Sequence, residues 1–212
     1  MIYPILKRLG DFTLSLIALV ILSPLFIVIV ILIKLDSKGP VFFRQKRVGR
    51  HKNYFNILKF RTMRFEAPKD MPTHLLEHPE QYITRAGRFL RKTSLDELPQ
   101  IINILLGQMS IIGPRPALWN QYDLIAERDK YCANDIKPGL TGWAQINGRD
   151  ALEIPDKAKF DGEYKANVSF KMDWKCFWRT VNAVLISDGV VEGGTGELKK
   201  EETKKARKEI FT

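Results

Sequence analysis

The sequence predicts an α+β protein, in which an N-terminal membrane helix precedes a basic domain built from a small β-hairpin and amphipathic helices. Three observations predict this fold class: an uncharged apolar run at residues 12–33, alternating aromatic and basic residues at 39–65, and helical spacing of apolar residues after residue 94. The chain has 212 residues and a net charge of +10, which suits a single main domain with an anionic partner. Its two cysteines form no CxxC pattern, so the sequence indicates neither a disulfide framework nor a zinc knuckle.

The first element is a membrane helix. Residues 12–33 read FTLSLIALVILSPLFIVIVILI, and a helix of this length, about 33 Å, is long enough to cross a bilayer. A secretory signal is a weaker interpretation, because the run is too long for such a signal and no small-residue cleavage site follows it.

The charges around this helix predict that both of its ends face the cytoplasm. Lys7 and Arg8 precede it, and six basic residues follow between residues 34 and 50; basic residues favour the cytoplasmic side. At the midpoint, Pro24 lacks an N–H and bends a helix, while the hydroxyl of Ser23 can bond the carbonyl that the proline leaves free. We therefore expect residues 1–36 to form a re-entrant helix broken at Ser23-Pro24. The alternative is a simple kinked spanning helix whose N-terminus lies outside.

A hairpin and a loop come next. Residues 39–65 alternate aromatic or β-branched residues with basic ones around Gly39-Pro40 and Gly49, which predicts short strands joined in a hairpin. Residues 66–83 contain three prolines and predict a loop with a short helix. Within it, HLLEH at 74–78 matches the signature of inverted zinc peptidases, but no third ligand helix is apparent, so a coincidental match is the better interpretation.

Two adjacent carboxylates, Asp96 and Glu97, follow a basic stripe in the stretch RKTSLDELPQ. The apolar residues after them predict an amphipathic helix from 94 or 96 to about 107, with Pro99 near its start. Ser94 and Glu97 fit a capping box, which would explain the pattern without any catalytic function. In the first turn of a helix, both carboxylates should have lowered pKa values.

Glycine- and proline-rich turns and a last helix follow. GPRP at 113–116 and KPGLTGWAQINGRD at 137–150 carry Arg115 and Arg149, and such loops can present N–H groups and guanidinium forks to phosphates. Between 170 and 185, four aromatic residues share one helical face. This face suits an interfacial membrane helix, with packing against the core as an equal alternative. The mostly charged residues 191–212 predict a flexible tail.

An acid pair near several arginines, on a membrane-anchored basic domain, suits chemistry on a diphosphate at the bilayer surface. A carboxylate can attack phosphorus to form an acyl phosphate. Mg²⁺ would neutralise the substrate, and guanidinium groups would stabilise charge on the transferring phosphoryl group. A membrane-tethered nucleic-acid-binding protein or a lipid-binding scaffold would explain the charge and the anchor, but neither explains the acid pair.

Several motifs together resemble those of the bacterial sugar transferases known as small monotopic polyprenyl-phosphate phosphoglycosyl transferases. In chain order these motifs are LSP, FFRQKRVG, KFRTM, SLDELPQIINILLGQMSIIGPRP and KPGLTGWAQINGR. The resemblance implies transfer of a phospho-sugar from a UDP-sugar to undecaprenyl phosphate at the cytoplasmic face of the bacterial inner membrane, which initiates a surface glycan such as an exopolysaccharide. It also implies Mg²⁺ as cofactor, membrane lipids as partners, and no nucleic acid. The sugar, the pathway and the oligomeric state, a homo-oligomer included, are left open.

The same resemblance implies roles for individual residues. Asp96 would be the nucleophile that forms a phosphosugar-aspartyl intermediate with release of UMP, and it would contact Mg²⁺. Glu97 would complete the dyad as metal partner or as base. The substrate-binding residues would be Lys59, Arg61, Arg91, Arg115 and Arg149. Residues 1–36 would be the anchor, 37–190 the catalytic domain and 191–212 the tail. Gln108 departs from the family pattern, in which many members carry an acid there.

Overall fold

The computed structural model describes residues 2–67, 78–148 and 152–185, and it shows an α+β chain with one very long N-terminal helix. The helices are α1 (Tyr3–Asp36), α2 (Arg85–Lys92), α3 (Gln100–Leu105), α4 (Tyr122–Asp129), α5 (Trp143–Ile146), α6 (Ile154–Ala166) and α7 (Phe170–Leu185). The strands are β1 (Phe42–Val48), β2 (Tyr54–Phe60), β3 (Ser110–Ile112) and β4 (Gly139–Thr141). The predicted α+β class, the long apolar N-terminal helix and the small β-sheet structure are confirmed. The predicted tail at 191–212 lies outside the described residues.

α1 is a single helix of 34 residues that passes through Pro24, and it is long and apolar enough to cross a membrane. Pro24 removes the N–H that would bond the carbonyl of Val20. The hydroxyl of Ser23 donates to that carbonyl instead, at 2.8 Å, which confirms the predicted role of the serine. The predicted interruption of helical structure is wrong, because the helix continues across Ser23-Pro24 once this hydroxyl replaces the missing bond. A proline inside a continuous helix still bends it.

The first turns of α1 bond to the globular domain through charged side chains. Lys7 Nζ lies 2.5 Å from the carboxylate of Asp173 on α7. The guanidinium of Arg8 donates to the last two carbonyls of α3, at 2.7 and 2.9 Å. One turn later, the buried carboxylate of Asp11 accepts a hydrogen bond from the hydroxyl of Ser110 on β3, at 2.7 Å.

The last turns of α1 pack into the core of the same domain. Ile29 and Ile33 are buried against Phe60 of β2 and Leu90 of α2. Asp36 accepts a hydrogen bond from a backbone N–H in the first turn of α2, at 2.9 Å. Both ends of this long helix therefore contact one domain.

β1 and β2 form the predicted antiparallel hairpin. Phe42 pairs with Phe60 and Val48 with Tyr54, and a 3₁₀ turn at Arg50–Lys52 joins the strands. In the first half of β2, the buried Phe55 and Ile57 alternate with exposed residues, as the period of two requires for a sheet with one face on the core, and Phe60 at its end is buried as well. The hairpin forms one wall of the site described below.

A second, parallel pair of strands, β3 and β4, was not predicted from the sequence. Ser110 pairs with Gly139 and Ile112 with Thr141, and three residues are too few to show a periodicity. A Cβ on Gly139 would lie only 2.1 Å from the backbone nitrogen of Gly113. The two backbone segments can therefore approach this closely only because residue 139 is glycine. This pair positions the GPRP loop that follows β3.

α7 turns its aromatic residues away from the core. Phe170, Trp174, Phe177 and Trp178 are 67%, 53%, 42% and 46% exposed, whereas Cys176 on the same helix is fully buried. The interpretation of these four residues as core packing is therefore wrong. They form a continuous row of stacked and edge-on rings on the surface of the domain.

Candidate active site

The two carboxylates lie on a tight turn between α2 and α3. Leu95–Glu97 form a single 3₁₀ turn, and α3 begins only at Gln100. Pro99 takes the position before α3 because its missing N–H costs nothing at a helix start. The predicted capping box is wrong: Ser94 adopts a left-handed conformation with φ of 56° and makes no side-chain cap. The dyad therefore precedes the helix, and other parts of the chain fix its side chains.

Two cations hold Glu97. Lys59 Nζ lies 2.7 Å and Arg115 Nη2 2.8 Å from the same oxygen, Oε1. Burial alone would raise the pKa of Glu97, but the charges and hydrogen bonds of Arg115 and Lys59 outweigh it and hold the pKa far below its usual range. Glu97 is therefore an ionised, tightly bound carboxylate.

Asp96 has the opposite environment. Lys59 and Arg115 direct their hydrogen bonds to Glu97, and no side chain in the described ranges hydrogen-bonds the carboxylate of Asp96. Burial raises the pKa of Asp96, although the charges of Lys59, Arg91 and Arg115 oppose this effect. The predicted lowering of both pKa values is right for Glu97 and wrong for Asp96, because Asp96 loses water without gaining a hydrogen bond from any described side chain.

Arg47 is a member of the site that the sequence analysis missed. Together with Lys59, Arg115, Ile57 and Pro116 it lines a small cavity beside Glu97. Burial and the neighbouring charge of Arg115 lower its pKa to about 10. The motif FFRQKRVG contains this residue, but only the register of the hairpin and the position of the GPRP loop place its guanidinium here.

Of the five predicted substrate-binding residues, the structure brings three to the dyad. Lys59 and Arg115 bond Glu97, and Arg91, in the last turn of α2, lies near enough for its charge to lower the pKa of Asp96. Arg149 lies outside the described residues.

Arg61, the fifth predicted substrate-binding residue, makes its hydrogen bonds at the end of α1 and none to the dyad. Its side chain is buried, and the guanidinium donates to the carbonyls of Ser37 and Lys38, at 2.7 and 2.5 Å, and to the hydroxyl of Ser37 at 2.9 Å. These groups lie at the C-terminal end of α1, where helix carbonyls lack partners. Arg61, which directly follows β2, therefore fastens the end of α1 to the hairpin.

The dyad suits a Mg²⁺ ion that takes only one or two of its ligands from the protein. Within the described ranges, no three or more His, Cys, Asp or Glu side chains gather as a metal-binding group. Mg²⁺ in enzymes that act on phosphates is usually held by one or two protein carboxylates, with water and substrate phosphates as the other ligands. Asp96, which no described side chain hydrogen-bonds, and the adjacent Glu97 supply that donor set. The site therefore suits an ion that is shared with a diphosphate.

Comparison with known families gives the assignment. The family model described as "Bacterial sugar transferase" matches residues 2–187. The chain belongs to the bacterial sugar transferase family. This match covers α1, the dyad and both described sheets of the structure.

Several relatives of this sugar transferase show how far the similarity extends. The uncharacterized sugar transferase EpsL of Bacillus subtilis (strain 168) is 42% identical over 88% of this chain and 90% of EpsL. The UDP-glucose:undecaprenyl-phosphate glucose-1-phosphate transferase of Escherichia coli (strain K12) is also 42% identical, over 84% of this chain and 39% of the E. coli protein. The exopolysaccharide production protein ExoY of Sinorhizobium fredii is 35% identical over 86% of this chain and 87% of ExoY. The chain therefore spans most of two relatives and under half of the third.

In this sugar transferase, Gln108 has a defined structural role. Its side-chain oxygen accepts a hydrogen bond from the amide of Asn103, at 2.7 Å. The buried Asn103 in turn accepts from the N–H of Leu58 and donates to the carbonyl of Asn56, both at 2.9 Å. An acid at position 108 could accept the same bond, so the departure from the family pattern preserves the network. Because Lys59 follows Leu58 directly, this network positions the lysine that bonds Glu97.

Proposed function

We propose that this sugar transferase moves a sugar-1-phosphate group from a UDP-sugar to undecaprenyl phosphate, giving undecaprenyl-diphosphate-sugar and UMP. Similar proteins from Escherichia coli and Komagataeibacter xylinus are named as undecaprenyl-phosphate glucose transferases, and one from Aeromonas hydrophila as an N-acetylgalactosaminephosphotransferase. Because the sugars in these names differ, we propose no particular sugar. A relative named as an exopolysaccharide production protein supports a role in starting a surface glycan.

The observation that supports this function best is the asymmetry of the dyad. Glu97 is bonded to two cations, whereas the half-buried Asp96 receives no hydrogen bond from a described side chain. A carboxylate that is poorly solvated and free of donors is a better nucleophile than one whose lone pairs are occupied. Asp96 is therefore the nucleophile, and Glu97 is the fixed charge that organises the cations around it.

The first half-reaction is an attack of an Asp96 carboxylate oxygen on the phosphorus that bears the sugar. A phosphorus–oxygen bond forms to Asp96, and the bond from that phosphorus to the bridging oxygen of the diphosphate breaks. The electron pair leaves with the bridging oxygen on UMP, so no proton transfer is needed. Arg115, Lys59 and Arg91 stabilise the negative charge that builds up on the transferring group.

The second half-reaction regenerates the carboxylate. An oxygen of undecaprenyl phosphate attacks the same phosphorus, and the bond to Asp96 breaks. Since the second pKa of a phosphate monoester is about 6, the acceptor is mostly a dianion at neutral pH and needs no base. The pKa of Glu97, far below its usual range, makes this residue a poor proton acceptor, which favours the role of metal partner. Mg²⁺ bound by the dyad would neutralise the charge of the diphosphate.

We also propose that α1 is re-entrant and that the site lies at the cytoplasmic face. A spanning helix would carry its two ends to opposite sides of a hydrocarbon core about 30 Å thick. Here both ends are attached to the same domain, through Lys7 to Asp173 at one end and through Ile33 in the core at the other. The exposed aromatic row of α7 suits the membrane interface. Tags at the N-terminus and after Thr212 should both be inaccessible from outside intact cells, and labelling of the N-terminus alone would show a spanning helix.

The function is tested by looking for the covalent intermediate. Purified protein is incubated with Mg²⁺ and a panel of UDP-sugars without lipid acceptor, and intact mass and peptide mapping are followed together with UMP release. We expect a phosphosugar adduct on Asp96, which would also identify the sugar, and no adduct in Asp96→Asn although that variant stays folded and membrane-bound. Substantial turnover of Asp96→Asn would contradict the nucleophile. An absent adduct in protein that turns over with undecaprenyl phosphate would indicate direct displacement in a ternary complex.

A further inference from the structure

The GPRP loop is fixed by an unusual run of backbone contacts. Four consecutive carbonyls, from residue 114 to residue 117, each accept a hydrogen bond from a different donor. The donors, in order, are the N–H of Gly139 at 2.8 Å, Arg128 Nη2 at 3.0 Å, Arg47 Nη1 at 3.0 Å and the N–H of Val48 at 2.9 Å. The loop carries Arg115, whose guanidinium reaches Glu97. The position of this guanidinium therefore depends on how firmly the loop backbone is held.

The donor to the Arg115 carbonyl belongs to a buried ion pair. Arg128 on α4 and Asp161 on α6 are 4% and 1% exposed. The two groups meet through Nε at 2.8 Å and Nη2 at 2.6 Å, both on the same carboxylate oxygen. Taking two charges out of water costs free energy that their attraction repays only in part, and a hydrophobic pair of similar volume is often as stable or more so. The pair is therefore poorly explained as a device for stability alone.

Its third contact provides the explanation. Arg128 Nη2 both pairs with Asp161 and donates to the carbonyl of Arg115, so the carboxylate orients a guanidinium that holds the backbone of a residue in the active site. We propose that Arg128, held by Asp161, is a positioning residue for Arg115. This inference rests on the proposed function in one respect, namely that Arg115 binds the donor diphosphate. Small errors in the placement of such a group cost about 100-fold in rate per ångström.

A variant that removes both charges avoids leaving one of them buried and unpaired. Arg128→Met/Asp161→Leu keeps similar volume and should remain folded, and thermal unfolding of the full chain in detergent checks this. The matched control is Asn134→Ala. Asn134 is also buried and bonds the carbonyl of Ile125 on α4, but its hydrogen bonds do not reach the GPRP loop.

The first readout does not depend on activity. Hydrogen exchange of peptides that cover residues 113–118 should become faster in the paired variant and stay unchanged in Asn134→Ala. Unchanged exchange of the loop in a folded paired variant would overturn the proposal.

The second readout is a double-mutant cycle on UMP release with the UDP-sugar that the protein uses. The paired variant should lower kcat/KM for the donor by about tenfold or more when Arg115 is present. In an Arg115→Ala background it should lower kcat/KM by less than about twofold, since no guanidinium is left to position. An equal loss in both backgrounds, as expected for Asn134→Ala, would show a purely structural role and overturn the proposal. An absence of UMP release from the wild-type chain would instead count against the proposed function, while the exchange experiment still decides the positioning role.

Discussion

Lys59→Met tests whether the cations around Glu97 organise the dyad. Lys59 Nζ lies 2.7 Å from Glu97 Oε1, and the two side chains are only 17% and 20% exposed. Removing one partner of a buried ion pair costs about 3–5 kcal/mol. Arg115 remains bonded to the same carboxylate and water reaches the pair in part, so we expect about half of that, roughly 2 kcal/mol of folding free energy.

The effect of Lys59→Met on the rate should be larger than its effect on stability. Removing one donor that stabilises developing charge typically costs about 100- to 1,000-fold in rate. The charge of Lys59 also lowers the pKa of Asp96, against the effect of burial, and so keeps this carboxylate ionised. The assay is the burst of UMP release in the first turnover, measured without lipid acceptor. Thermal unfolding of the same preparation should shift down by about 4–8 °C.

The matched control is Lys130→Met. Lys130 forms an ion pair of similar length, 2.6 Å to Glu127, but its side chain is 65% exposed. An exposed pair is screened by water and contributes little, so neither the burst nor the unfolding temperature should change. A folded Lys59→Met protein with a wild-type burst would refute the view that the cations bound to Glu97 serve the reaction.

Three further predictions concern protonation, the end of α1 and its midpoint. Because burial raises the pKa of Asp96, the first-turnover rate should fall as pH falls through a pKa above the ordinary aspartate value. Glu97→Gln should keep this acidic limb but move it to lower pH, since the charge of Glu97 helps to raise the pKa of Asp96, and loss of the limb in that variant would contradict the assignment. Arg61→Leu should lower the unfolding temperature but leave KM for the donor within about twofold, because the bonds of Arg61 go to Ser37 and Lys38. A strongly raised KM in folded protein would show that Arg61 binds the substrate. Ser23→Ala should destabilise the protein in nanodiscs by about 1 kcal/mol and Ser23→Thr by much less, because only the alanine leaves the carbonyl of Val20 without its donor.

Local patterns predicted the elements that depend on local sequence. The hairpin followed from alternation and from Gly49 at its turn, and the role of Ser23 followed from the missing N–H of Pro24. The motif SLDELPQ and the arginines before it predicted that acidic and basic side chains would meet in one site. The helix around the dyad was misplaced because helical spacing of apolar residues shows which residues face the core, but not where the first turn begins.

The roles of individual arginines could not be predicted from the sequence, since they depend on contacts between distant segments. Arg61 lies only two residues from Lys59, yet it bonds the end of α1 while Lys59 bonds Glu97. Residues two positions apart on a strand share a face, but β2 ends at Phe60, so strand alternation does not extend to Arg61. Arg47 and Arg128 reach the site through strand register and helix packing, which leave no local signal in sequence.

Several arginines of this basic chain both stabilise the fold through hydrogen bonds and contribute positive charge for substrate binding. Arg8, Arg47 and Arg61 donate to neutral acceptors, mostly backbone carbonyls at the ends of α3, the GPRP loop and α1. A carbonyl satisfies a guanidinium without cancelling its charge, whereas a carboxylate does both. Arginines bound to carbonyls therefore hold the loops and helix ends in place and still add to the positive potential that an incoming diphosphate meets. This is why a site with one fully paired carboxylate, Glu97, can attract a substrate that is itself strongly negative.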